Sequence, residues 1–278
     1  MTPSKIRKIL EDSLSKRLIP SEGLTISQIS FSMSRLGFGS MIYHDNKDKE
    51  LHTILYSYIE SGISVIVGIE NKSGTFRHAI VCIGHHINDQ KSNFKEDGSQ
   101  FFDVSNWDRK FTIMDDNQPP YNFMSAHDPG SNYKAKHKEP FNLRYILVPL
   151  HKNKYLEYRL ANKLAKAYLF QNLRLFQDKE IIVFRLFLIS SRSFKQSFFT
   201  RKLPQEVQKL ITRNSFPRFV WICEFGRNDG FLNEKISGFL IIDATGNESF
   251  DSVLFFIFDS IVKWKHSVYS VNFYFSCK

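Results

Sequence analysis

The chain has 278 residues, of which 42% are hydrophobic and 24% charged, and its formal net charge at pH 7 is +10. This composition is typical of a globular protein with a full hydrophobic core and excludes a disordered polar chain. No apolar run approaches the roughly 20 residues of a membrane-spanning helix, so we expect no membrane association. The basic surplus can attract nucleic acid or an acidic protein, although the basic residues are scattered and form no long block.

The three cysteines, Cys82, Cys223 and Cys277, are far apart and show neither a CxxC pair nor zinc-finger spacing. Cys82 and Cys223 lie within apolar runs, which is typical of reduced thiols packed as small hydrophobic side chains. Residues 1–16 are polar and lack the apolar core of a signal peptide. We therefore expect a cytoplasmic protein.

Helical signals come first along the chain. Thr2-Pro3 is typical of an N-cap and first helical position, and Thr25 with Gln28 is typical of a capping box. Gly37 and Gly62 are expected to end helices, because glycine readily adopts the left-handed conformation that follows a helix. We predict helices at about 3–16, Thr25–Leu36 and Leu51–Ile59.

Strands follow, marked by apolar runs between turn residues. The continuous run Ile63–Ile69 is typical of a strand buried on both faces, and Asn71-Lys72-Ser73-Gly74 predicts a tight turn after it. Two long stretches, 88–106 and 117–140, are predicted to be irregular. In this half we predict strands at Phe38–Tyr43, Ile63–Ile69, Ala79–Ile83 and Lys110–Met114.

The second half mixes strands with helices. Its longest apolar run, Val253–Ile261, is interrupted by Asp259 and is interpreted as part of a buried helix. We predict helices at about 154–176, Pro204–Arg213 and Phe250–Trp264. We predict strands at Leu143–Leu150, Ile181–Ile189, Arg218–Phe225, Phe239–Asp243 and Ser267–Phe275.

Two charges within these apolar runs, Arg185 and Glu224, are interpreted as a structural ion pair, because a buried charge is costly unless it is paired. The functional alternative is a polar pocket formed by Arg192, Lys195 and Asp243.

The chemistry of the chain is concentrated around His78. This histidine opens an apolar β-run, and the next predicted strand ends in Asp115-Asp116-Asn117. A nucleophilic catalytic triad consists of a nucleophile, a histidine and an acid or amide that orients the histidine. These two segments would supply the second and third members. A plainer interpretation is also open, in which His78 is a core or edge residue and the aspartates cap the turn before Pro119-Pro120.

The first half resembles the papain-like cysteine peptidases, with the bacterial peptidases that cut double-glycine leaders as the nearest branch. The resemblance covers about residues 24–121. It rests on the order of the predicted elements, a helix, a short strand and a second helix, and on the two segments that follow them, Tyr58–Gly68 and His78–Gly84. It implies that His78 is the catalytic histidine and that Asp115-Asp116-Asn117 supplies its orienting group. It also implies an α+β fold, with a papain-like region over 1–140, helices first and a twisted antiparallel sheet after. We expect an α/β extension over 141–278 to pack on it.

The nucleophile is where the chain departs from that family, whose cysteine heads a helix that precedes these elements. No cysteine precedes Cys82 here. His78 and Cys82 are separated by ~13 Å in an extended strand, too far for a direct thiolate–imidazole pair. We expect that the nucleophile is lost, that it lies upstream of Met1, or that a serine replaces it. Ser4 and Ser27 lie nearest to predicted helix starts, where both are explained as first-turn residues.

Three functions remain open. The leading one is a degenerate or truncated papain-like cysteine-peptidase relative, catalytically impaired, that binds a peptide or protein. The second is an active hydrolase or acyltransferase that uses His78 with a serine or Cys223 as nucleophile. The third is a basic module that binds nucleic acid or another protein.

We expect no cofactor and no metal. His85-His86 with Asp89 suggests a metal site, but adjacent residues of a strand point to opposite faces and rarely bind one ion together. His127, Asp128 and His137 add ligands only if their loop folds toward such a site.

Overall fold

Helices and two separate sheets make up the described part of the chain, which is an α+β protein, as expected. The computed structural model describes residues 24–45, 50–87, 101–107, 109–125, 128–133, 139–152, 156–172, 182–200, 205–227, 236–246, 250–258, 261–264 and 267–270. The predicted helix at 3–16 and the end of the last predicted strand, 271–275, lie outside these residues.

The helices largely follow the apolar periodicity of the sequence. Thr25 and Gln28 form the predicted capping box, in which the N–H of Gln28 donates to Thr25 Oγ1 (3.3 Å) and the N–H of Thr25 donates to Gln28 Oε1 (2.9 Å). Gly37 and Gly62 end the first two helices at positive φ, +92° and +71°. The helices are α1 (Ile26–Arg35), α2 (Leu51–Glu60), α3 (Tyr158–Gln171), α4 (Ser191–Thr200) and α5 (Gln205–Arg213).

The first sheet has six strands in the order β1-β7-β2-β3-β5-β6. Its strands are β1 (Phe38–His44), β2 (Val65–Asn71), β3 (Arg77–Ile87), β5 (Arg109–Met114), β6 (Asn122–Ser125) and β7 (Phe141–His151). The central pairs β1/β7, β7/β2 and β2/β3 are antiparallel, as is β5/β6 at one edge. The position of β3 between β2 and β5 brings His78 next to the end of β5.

The second sheet has seven strands in the order β13-β12-β11-β10-β9-β8-β4. Its strands are β4 (Phe101–Asp103), β8 (Ile182–Ser190), β9 (Phe219–Arg227), β10 (Gly238–Asp243), β11 (Val253–Phe258), β12 (Ile261–Trp264) and β13 (Ser267–Ser270). Strands β8 to β13 form an antiparallel meander, and β4 pairs in parallel with β8. Its core includes Phe194 of α4 and Val207 and Ile211 of α5.

Contacts divide the chain into two compact units. The first holds the first sheet and α1, and the second holds the second sheet and the other helices. These units differ from the expected boundary between residues 140 and 141. Strand β7 lies after that boundary but pairs with β1 and β2 of the first unit, whereas α2 and residues 101–107 lie before it and belong to the second unit. Strand pairing over a long sequence separation leaves no trace in local composition.

The helix predicted at Phe250–Trp264 is wrong. This segment forms a 3₁₀ turn at Phe250–Ser252 and then the antiparallel strands β11 and β12. Every residue of β11 is buried. A short, wholly apolar run looks the same in a buried helix and in a buried strand, and here the β-branched and aromatic residues favour the strand.

Three further elements were not predicted. Strands β4 and β6 lie within the stretches predicted to be irregular, and they are only three and four residues long. Helix α4 follows β8 directly, and Ser190 Oγ accepts the N–H of Ser193 (3.1 Å) at its start, as an N-cap does. None of the described helices is long and apolar enough to cross a membrane.

The ion pair predicted between Arg185 and Glu224 is confirmed. Arg185 on β8 donates through Nε to Glu224 on β9 (2.8 Å) and through its Nη1 to Glu60 at the end of α2 (2.8 Å). The Glu224 side chain is completely buried. Burial opposes the charge of Arg185, but the two carboxylates outweigh it and raise the pKa of its guanidinium. The pair therefore ties α2 to the second sheet.

Replacing Arg185 by Leu is expected to lower the free energy of unfolding by about 3–5 kcal/mol, because it leaves Glu224 buried without its partner. Urea unfolding followed by circular dichroism measures the loss. Arg192→Leu is the matched control, since Arg192 is exposed on α4 and its replacement is expected to change stability by less than about 0.5 kcal/mol. Equal effects of the two substitutions would contradict this role.

Candidate functional site

His78 lies on β3 opposite Ile69 of β2, on the same face as the buried Ile80 and Cys82. Its side chain is 16% exposed, so the ring is largely enclosed but reachable. Strand β5 lies beside β3, and its last residue is followed at once by Asp115. The sheet therefore carries the 115–117 turn to the imidazole of His78.

All four residues predicted for the site come together. His78 Nε2 lies 3.0 Å from Asp115 Oδ1, 3.3 Å from Asp116 Oδ1 and 3.3 Å from Asn117 Nδ2. The two carboxylates differ in environment, because the Asp115 side chain is completely buried and that of Asp116 is 82% exposed. Asp115 is thus the fixed partner of the ring, and Asp116 faces solvent.

The buried carboxylate of Asp115 is saturated with hydrogen bonds. Its Oδ1 accepts the backbone N–H of Asn117 (2.9 Å) besides facing His78, and its Oδ2 accepts the hydroxyl of Tyr133 (2.5 Å). Burial by itself raises the pKa of Asp115, but the hydrogen bonds from Tyr133, Asn117 and His78 outweigh it and lower that pKa below its ordinary value. Asp115 is therefore ionised at neutral pH.

The bond from Asn117 also makes Asp115 the cap of its own turn, as Asp often is. The hydrogen bond to the Asn117 N–H is the contact that the turn-capping interpretation expects, and the contact with His78 is the one that the histidine-orienting interpretation expects. They do not compete, because one carboxylate offers two oxygens with about four acceptor positions.

The charge of Asp115 decides where the proton of a neutral His78 ring lies. An ionised carboxylate can only accept hydrogen bonds, so in a neutral ring Nε2 carries the hydrogen that faces Asp115 (3.0 Å). The Asn117 Nδ2 group, 3.3 Å from Nε2, is itself a donor and is then a neighbour of this nitrogen rather than its hydrogen-bond partner. The other ring nitrogen, Nδ1, then holds the free lone pair. Within the described residues no hydrogen bond occupies Nδ1. His78 is therefore arranged as a base whose accepting nitrogen points away from the acids.

An aromatic wall supports this arrangement. The centroid of the Tyr133 ring lies 5.9 Å from that of His78 and 5.3 Å from that of Phe76. The ring centroids of Phe141 and Phe76 are 5.6 Å apart. Gly130 lets the chain pass close to Phe141, since a Cβ at this position would collide with the Phe141 side chain. Phe76 and Tyr133 thus both pack against the His78 ring, and Tyr133 also holds Asp115 through its hydroxyl.

Sequence reasoning missed Tyr133. It lies in a short 3₁₀ turn within the stretch predicted to be irregular, 18 positions after Asp115. Burial and the neighbouring Asp115 raise the pKa of Tyr133 well above its ordinary value, so it stays a hydrogen-bond donor. No local signal in the sequence connects this tyrosine to Asp115.

The two described cysteines are poor nucleophiles. Cys82 is buried on β3, and burial raises the pKa of its thiol to about 12. Cys223 is buried on β9, and burial raises the pKa of its thiol well above the ordinary value. A reactive cysteine needs the opposite shift and some exposure. Ser27 lies in the first turn of α1, as predicted, and Ser4 lies outside the described residues.

The other predicted polar groups have local structural contacts. Lys195 Nζ donates to the carbonyls of Thr212 (3.2 Å), in the last turn of α5, and Asn214 (2.6 Å), which follows this helix. Asp243 Oδ1 accepts the N–H of Thr245 (2.7 Å). Near the end of β3, His85 is half-buried and His86 exposed. Asp89, His127 and His137 lie outside the described residues.

Comparison of the chain with models of known protein families and with curated proteins gave no match.

Replacing Tyr133 by Phe is expected to lower the free energy of unfolding by about 1.5–3 kcal/mol, since it removes a hydrogen bond to a buried carboxylate. Denaturant unfolding at pH 7 measures the change. Tyr121→Phe is the control, because Tyr121 is 66% exposed and its loss of a hydroxyl should be nearly neutral. A neutral Tyr133→Phe would show that the bond to Asp115 contributes nothing.

The lowered pKa of Asp115 predicts an acid-sensitive stability. Its contribution is complete above the unfolded value of about 3.9 and is lost as the pH falls through the lower folded value. In Asp115→Asn the free energy of unfolding is therefore expected to decrease less steeply with falling pH below about pH 4. Urea midpoints measured from pH 6 to pH 2 test this. Glu206→Gln, at an exposed position of α5, should leave the slope close to that of the wild type.

Proposed function

We propose that the His78 cluster is the histidine–acid half of a papain-like cysteine-peptidase site, and that the chain binds a peptide or protein segment there. In this proposal His78 is the catalytic-type histidine, Asp115 orients it, and Asp116 and Asn117 border the same group. No thiolate of Cys82 or Cys223 takes part, so the chain is a catalytically impaired relative.

One observation carries the proposal. His78 Nε2 is held 3.0 Å from the buried, ionised Asp115, and this directs the free lone pair of Nδ1 away from the acids. A histidine that only filled the core would not need a buried carboxylate on one nitrogen and an unoccupied acceptor on the other. The same arrangement orients the base of a nucleophilic triad.

The cysteines support the impaired form of the site. Both described thiols are buried, and their raised pKa values keep them protonated at neutral pH. Both are also free rather than joined in disulfides, which supports the proposed cytoplasmic location.

A peptide ligand suits the exposed side of the cluster. Asp116 and the reachable edge of His78 offer a carboxylate and an imidazole nitrogen, which can hydrogen-bond to the N–H groups of an extended chain. The resemblance to peptidases that cut double-glycine leaders makes a segment containing Gly-Gly the first probe to choose.

Binding to a fluorescein-labelled synthetic peptide that contains Gly-Gly tests the proposal. By fluorescence anisotropy the full chain is expected to bind the peptide, and His78→Ala is expected to weaken binding at least tenfold, about 1.4 kcal/mol. His86→Ala is the matched control, because His86 is an exposed histidine of the same strand, and it should change Kd less than twofold. Mass spectrometry of the mixture should recover the peptide intact.

The result that overturns the proposal is binding that His78→Ala and His86→Ala weaken equally, or no binding at all. Cleavage of the peptide that disappears in His78→Ala would instead support the second candidate, an active hydrolase or acyltransferase with another nucleophile. The intact His78–Asp115 pair is the observation that keeps this candidate open.

A further inference from the structure

We infer that His78, Asp115 and Asp116 form a binding site for one divalent transition-metal ion of the zinc class. The proposal stands on the positions of three ligand atoms, Nε2 of His78 and one carboxylate oxygen from each aspartate. These atoms all lie within 4.8 Å of one another. It does not require the proposed peptidase-like function, because an ion can bind here whatever the site does.

The spacing of the ligand atoms is what an ion would need. Zinc binds imidazole nitrogen and carboxylate oxygen at about 2.0–2.2 Å, so two of its tetrahedral ligands lie about 3.3–3.5 Å apart. His78 Nε2 lies 3.3 Å from Asp116 Oδ1 and 3.0 Å from Asp115 Oδ1. The two carboxylate oxygens lie within 4.8 Å of each other, and the exposed Asp116 side chain is the ligand that can move to complete the spacing around an ion.

The charge of the cluster points the same way. Nε2 of a neutral His78 carries a single hydrogen, yet two carboxylate oxygens converge on it. One N–H can satisfy only one of them well, so the second carboxylate meets this nitrogen without a hydrogen of its own to accept. A divalent ion in place of this hydrogen would neutralise both carboxylates at once.

The surroundings of Asp115 resemble the outer shell of a metal site. Ligating carboxylates are usually held by further hydrogen bonds, which fix their orientation. Asp115 receives such bonds from the Tyr133 hydroxyl (2.5 Å) and the Asn117 N–H (2.9 Å). Asp116, 82% exposed, leaves a path for an ion from solvent and open positions for water.

The donor set selects the class of ion. One imidazole with two carboxylates suits zinc, cobalt or nickel, whereas magnesium and calcium prefer oxygen ligands alone. The site is distinct from the His85-His86 pair considered from the sequence, since neither of those histidines belongs to this cluster.

Metal binding would have a chemical consequence, which rests on the proposed function. An ion on Nε2 forces the hydrogen of a neutral ring onto Nδ1, so this nitrogen can no longer accept a hydrogen bond. Zinc would therefore remove the acceptor nitrogen that the proposed peptide binding uses.

Calorimetric titration of the chelator-treated full chain with Zn²⁺ tests the site, with the visible absorption of bound Co²⁺ as a second readout. We expect one Zn²⁺ ion to bind per chain, and the Kd for Zn²⁺ to rise at least tenfold in Asp116→Asn. We expect no comparable binding of Mg²⁺. Asp116 serves best as the tested position because its exposed side chain makes the variant safe to fold. Thermal unfolding of each variant verifies this.

Two controls separate this site from other ion binding. Glu206→Gln removes an exposed carboxylate of α5, and His86→Ala removes an exposed histidine of β3. Both should bind Zn²⁺ as the wild type does. The inference is overturned if Asp116→Asn binds Zn²⁺ normally, or if His86→Ala loses the ion. Neither outcome touches the peptide-binding test when that test is run on chelator-treated protein.

Discussion

The buried carboxylate of Asp115 is the constraint on which the rest of the site depends. An ionised carboxylate without exposure is tolerated only when donors satisfy it, and here the donors come from three separate segments of the first unit. β3 supplies His78, the turn after β5 supplies the Asn117 N–H, and the 3₁₀ turn at 131–133 supplies Tyr133. Satisfying one charge therefore fixes the relative positions of all three.

The same constraint sets the chemistry. Because Asp115 engages Nε2, the imidazole presents Nδ1 as its accepting nitrogen, and because Asp116 is exposed beside Nε2, a second negative charge faces solvent at the ring. In the proposed metal site, a divalent ion would replace the hydrogen that lies between His78 and the carboxylates. Peptide binding as proposed needs the neutral ring, with its hydrogen on Nε2 and the lone pair of Nδ1 free.

The second unit solves a similar problem with a different donor. The Glu224 side chain is completely buried in a strand of the second sheet. Arg185 on the neighbouring strand forms an ion pair with it and also donates a hydrogen bond to Glu60. A guanidinium stays charged throughout the physiological pH range, so Arg185 suits a structural role. In the His78 cluster an imidazole takes the place of the guanidinium beside the buried carboxylate.

Local patterns determined much of this protein by themselves. The capping box of Thr25 and the glycine after α1 could be predicted because their partners lie within a few residues. The strand that carries His78 and the strand that ends just before Asp115 were marked by apolar runs. Only the tertiary structure decided that 253–264 is a hairpin, that β7 joins the first sheet, and that Tyr133 holds Asp115. Those outcomes depend on partners far away in the chain, which local periodicity cannot reveal.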